Sequence, residues 1–123
     1  MISNISLIKS FGYAYAGILH AARENRNLRL HFLLGALALL LGIIFGLNRF
    51  EMIVIVVMTV MVISAEMINT SLEEMTDLIT SEHRQEAKIA KDVAAGMVLV
   101  VSVGAAIIGA YIFVPYILRL SNF

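Results

Sequence analysis

The chain has no cysteine and a single proline among its 123 residues. The missing thiols exclude disulfides, thiolate metal sites and cysteine nucleophiles, and leave the compartment open. Charge is also scarce. Only 15% of residues are charged, against about 25% in a soluble domain. Formal net charge is zero, so no bulk field points to nucleic acid. Linkers, low-complexity tails and repeats with a period of about 20–50 residues are absent too, which leaves one domain over residues 1–123. Phosphate-binding loops of the GxxxxGK[ST] and GxGxxG kinds do not occur, nor does a GxSxG elbow. The three histidines, His20, His31 and His83, are dispersed and make a poor metal site.

What remains is apolar: 60% of the chain is hydrophobic. Phe32 to Leu47 is sixteen residues without a polar side chain, and with Leu30 and His31 it is long enough for a ~30 Å hydrocarbon core. Asn48 to Glu51 makes a polar break. Met52 to Ile79 has no Gly or Pro to stop a helix, and its 28 residues would reach roughly 42 Å. Val93 to Leu118 is a third apolar run. The reading is an all-α integral membrane protein with spans at about 30–47, 52–79 and 88–118. Before them, Ile5, Ile8, Phe11, Tyr15, Ile18 and Leu19 recur near helical spacing among Lys9, Arg23 and Arg26. This predicts an amphipathic surface helix over about residues 5–28. The first apolar run starts too late, and lacks the small-residue site, for a cleaved signal peptide.

Three spans put the termini on opposite sides. Seven of the nine Lys and Arg residues fall in the N-terminal segment and the 80–92 loop, and Arg49 and Arg119 fall on the other side. The positive-inside rule therefore puts the N-terminus and that loop in the cytoplasm.

The second span carries acids. At 100° per residue, Glu66, Asn69, Glu73 and Asp77 fall at about 0°, 300°, 340° and 20°, within one arc of roughly 80°. Glu74, at about 80°, begins to leave that face. A lone carboxylate in hydrocarbon costs about 2.5–3.5 kcal/mol, so this face needs a partner, a cation or water. Lys91 and Asp92, which open the third helix, and Glu24, Asn25 and Arg26 lie at the same depth. Spacing alone leaves three readings: an ion-pair network that fixes helix register, a proton or cation path through a small oligomer, or a catalytic Mg²⁺ site serving a phosphate substrate.

Two stretches narrow the choice. Ala65-Glu66-Met67-Ile68-Asn69-Thr70-Ser71-Leu72-Glu73 with Asp77, followed by Ala87-Lys88-Ile89-Ala90-Lys91-Asp92, resemble the small prokaryotic diacylglycerol kinase family, which includes undecaprenol kinases. Asp77 and Lys91 are fourteen apart, as in the family pattern. Ser10-Phe11-Gly12-Tyr13-Ala14 and Arg26-Asn27-Leu28-Arg29-Leu30-His31 also look like the family. The resemblance implies a homotrimer that uses ATP and Mg²⁺ to phosphorylate a membrane lipid alcohol, most simply undecaprenol, with diacylglycerol as the alternative. It implies Glu66 as general base, supported by Asn69, and Glu73 as the metal ligand. Lys91, Asp92, Tyr13, Glu82, His83 and Arg84 would meet the nucleotide. The chain departs from the pattern at the family's other metal-binding Glu, where it has Asn25, with Glu24 the nearest acid. It also has Ser6 where some members have Arg.

Overall fold

The computed structural model describes residues 6–122 and contains four helices: α1 (Leu7–Glu24), α2 (Arg26–Phe45), α3 (Arg49–Ile79) and α4 (Gln85–Ser121). The last three are long and apolar enough to cross a membrane. At 31 and 37 residues, α3 and α4 reach roughly 46 and 55 Å, beyond a ~30 Å hydrocarbon core.

Local chemistry sets each boundary. Ser6 Oγ caps α1 by accepting from Lys9 N. The chain then breaks at Asn25, whose backbone is extended (φ −112°, ψ 108°). Its Oδ1 accepts from the N–H groups of Asn27 and Leu28, so it starts a new helix instead of prolonging the old one. Helix α1 therefore ends at Glu24, and α2 begins before the apolar run does. Ile5 and the expected start of the surface helix lie outside the described residues. Arg29 seals the other side of the elbow, donating from one guanidinium nitrogen to the Ala22 and Arg23 carbonyls, each at 2.8 Å. At the far end α2 closes in a Schellman turn. Gly46 there takes φ 69°, and Leu47 N donates to Gly42 O at 3.0 Å. Asn48 and Glu51 form a capping box that starts α3 three residues before the apolar segment. Pro115 lies inside α4, which runs past it to Ser121.

Helix α3 lies between α2 and α4 and packs on both. Leu28, Ile55, Val62, Ala65, Ala94 and Ile112 are buried, while most other apolar side chains face outward. The end remote from the acidic residues is clasped by Tyr116, whose hydroxyl donates to Glu51 Oε2 at 2.6 Å. Phe45 lies against both Phe113 and Tyr116 there.

Gly35 of α2 is needed for the close approach of α3, because a Cβ there would overlap the methyl of Thr59. Thr59 Oγ1 donates to Ile55 O at 2.8 Å, which fixes that methyl in place. Gly35→Ala should therefore cost about 1–3 kcal/mol of overpacking, more than the ~1 kcal/mol that Ala gains in helix propensity. Gly12, where an added Cβ meets nothing within 4 Å, is the control. Thermal unfolding in detergent should show a lower midpoint for Gly35→Ala and none of that loss for Gly12→Ala.

Candidate functional site

The acidic face of α3 runs from the protein interior outward. Glu66 and Asn69 are buried, at 2% and 8% exposure, and Glu73 and Asp77 are exposed. Each of them has found a partner.

At the buried end, two groups from the start of α2 hold Glu66. Asn25 Nδ2 donates to Glu66 Oε2 at 3.1 Å, and His31 Nε2 lies 3.4 Å from Oε1. Asn25 Nδ2 also donates to Thr70 Oγ1 at 2.8 Å, and Thr70 Oγ1 in turn donates to the Glu66 carbonyl. The orientation of the Asn25 amide is settled by its neighbours. Backbone N–H groups can only donate, so the atom that meets Asn27 N and Leu28 N is the oxygen. That oxygen is committed to capping α2. Asn25 therefore serves as a bolt between the elbow and α3.

One turn further along α3, Asn69 Nδ2 donates to Glu73 Oε1 at 3.2 Å. Asn69 Oδ1 is buried with no hydrogen-bond partner. An orphaned carbonyl oxygen is costly. Asn69 also lines a cleft of about 380 Å³, together with Glu24, Glu73, Glu74 and Asp77. Among the described residues, no three acidic or histidine side chains converge closely enough to hold a metal unaided. Beside the Arg26 guanidinium, the carboxylates of this cleft offer an oxygen donor set. It suits Mg²⁺, a hard cation that keeps several waters and takes further ligands from a substrate phosphate.

Asp77 is the shared wall between this cleft and a second one of about 710 Å³. Lys91 and Asp92 from α4, and Glu82, His83 and Arg84 from the connecting loop, line the second cleft. Lys91 Nζ donates to Asp77 Oδ1 at 2.5 Å across the two helices. Lys88 pairs with Asp92 at 2.5 Å, and Arg84 with Glu82 at 3.1 Å. Thus five of the six expected nucleotide-side residues share one cleft. Tyr13 does not join them: it lies on exposed α1 and lines neither cleft. Glu74, just off the acidic face, is paired with His20 at 3.2 Å.

Sequence reasoning passed over Thr70 and, as a partner of Glu66, His31. Asn25 and His31 are six residues apart, about 240° around α2, so no periodicity links them. The one available signal is a polar ring sitting where an apolar span begins.

A family model described as prokaryotic diacylglycerol kinase matches residues 12–113 of the chain. The undecaprenol kinase of Bacillus subtilis is 40% identical over 107 residues, covering 87% of each chain. The diacylglycerol kinase of Synechocystis sp. is 35% identical over 116 residues, which is 94% of this chain and 66% of that protein.

Proposed function

The chain belongs to the prokaryotic diacylglycerol kinase family, whose members are lipid kinases, and on that premise we propose that it transfers the γ-phosphate of ATP to the hydroxyl of undecaprenol. In this reading it works as a Mg²⁺-dependent homotrimer in the inner membrane, with α1 on the cytoplasmic surface and both clefts open to the cytoplasm. The choice of acceptor follows the Bacillus relative, and diacylglycerol, named by the Synechocystis relative, is the alternative.

The observation that carries the proposal is the order of groups along α3. A buried carboxylate lies beneath an oxygen-lined cleft, and that cleft shares Asp77 with a second one where Lys91 and Arg84 lie. Phosphoryl transfer needs a placed nucleophile and neutralised phosphate charge more than covalent help from the protein. Lys91 and Arg84 offset phosphate charge, while Glu82, His83 and Asp92 border the nucleotide. Glu73 and Glu24, with Asn69 beside them, would hold Mg²⁺. When present, that ion polarises the transferring group. Glu66 takes the proton from the lipid hydroxyl as the hydroxyl oxygen attacks. Asn25 fixes its carboxylate, and α2 and α3 keep water from it.

The test is an acceptor comparison. Purified protein with Mg-ATP should phosphorylate undecaprenol with a kcat/KM at least tenfold above that for diacylglycerol. The reverse preference would assign the acceptor to diacylglycerol.

A further inference from the structure

Each turnover leaves a proton behind. The lipid oxygen bonds to the γ-phosphorus, the bond from that phosphorus to ADP breaks, and the hydroxyl proton moves to Glu66. A base that keeps its proton cannot act again. The Glu66 side chain is only 3% exposed, so water has no direct way to it. One of its oxygens, Oε2, is occupied by the Asn25 amide, which cannot carry a proton onward. The other, Oε1, faces His31 Nε2 at 3.4 Å. Among the described residues, His31 is the sole Lys, Arg or His side chain within 4.0 Å of this carboxylate.

We propose that His31 is the proton outlet of the site. It takes the proton from Glu66 Oε1 at Nε2 and releases one from Nδ1 to water. This rests on the reading of Glu66 as the base.

The geometry suits that role. The His31 side chain is 20% exposed where Glu66 is sealed, so it lies between the buried carboxylate and the protein surface near the start of α2. Its two nitrogens allow entry on one side and exit on the other. Nothing else nearby competes for the proton. On its own helix, Arg29 is engaged with the Ala22 and Arg23 carbonyls. From α3 the titratable group facing it is Glu66. The groove it lines towards α4 holds Ser102, Ala105 and Gly109, none of which titrates.

The experiment uses the full chain in detergent micelles, with Mg-ATP and undecaprenol. His31→Gln keeps a polar amide near Oε1 and cannot relay a proton. Its kcat should fall at least tenfold, with KM for both substrates within twofold of wild type. Imidazole at about 50 mM should restore at least a third of the lost kcat in His31→Gln or in the roomier His31→Ala, and should leave wild type unchanged. An undiminished kcat in His31→Gln overturns the proposal. So does a loss that imidazole does not restore in either variant, which marks a purely structural histidine. Should both variants fail to fold, wild type decides by its solvent deuterium isotope effect on steady-state kcat set against that on a single turnover. An effect of at least 2 on kcat that the single turnover lacks supports the outlet, and equal effects overturn it. Glu66→Gln keeps the two readings apart. If it is inert while His31→Gln is normal, the base stands and the outlet falls, and if Glu66→Gln turns over, the base itself falls.

Discussion

Glu66→Gln should lower the rate of phosphoryl transfer about 1,000-fold and leave the helices folded. A positioned general base contributes about 10²–10⁴ in rate, and an amide cannot do that work. The fold survives because the carboxylate sits in a cage that an amide also satisfies. The Gln oxygen can still accept from Asn25 Nδ2, the contact that Oε2 makes at 3.1 Å. The Thr70 hydroxyl bonds to the backbone carbonyl of residue 66, which the substitution does not touch. A buried neutral amide is also cheaper to desolvate than a buried charge. The result is read as kcat beside an unchanged unfolding midpoint. Normal turnover in the variant removes Glu66 as the base.

Glu73→Ala should raise the Mg²⁺ concentration for half-maximal rate at least tenfold and lower kcat a further 10- to 100-fold. Removing a charged ligand of this kind costs about 1.5–3 kcal/mol, and each 1.4 kcal/mol is a factor of ten. Glu74→Ala is the comparison. Glu74 lines the same cleft, but it is turned off the acidic face and tied to His20 at 3.2 Å. Its loss should change the Mg²⁺ requirement less than threefold. Equal effects from the two substitutions would mean that the cleft acts only through its overall negative field, with no ligand at Glu73. A Mg²⁺ titration of initial rates separates these outcomes.

Sequence and structure part company where side chains act across helices. The apolar runs are long and uninterrupted, so three membrane-length helices were legible in them. The 100° rule put Glu66, Asn69, Glu73 and Asp77 on one face, and the structure adds the depth gradient that makes the first two buried and the last two exposed. The fourteen-residue separation of Asp77 and Lys91 becomes a cross-helix contact at 2.5 Å. The elbow was not legible. Hydropathy puts a boundary where apolar residues begin, whereas Asn25 sets it earlier through two side-chain hydrogen bonds. Nothing in a sequence tells which backbone groups the Asn25 amide oxygen will meet. His31 and Thr70 were missed for a related reason. His31 is thirty-five residues from Glu66, and Thr70 is forty-five from Asn25, so only the packing of α2 on α3 brings each pair together.

The central claim is that the acidic face of α3 carries a phosphate from ATP to a lipid, and does not conduct ions. Liposomes containing undecaprenol and the reconstituted protein, given Mg-ATP labelled at the γ-phosphate, test it most directly. The account predicts label in the extracted lipid, one equivalent per ADP formed, with none in Glu66→Gln liposomes and no proton or cation flux without ATP. Unlabelled lipid together with ATP-independent flux would contradict it.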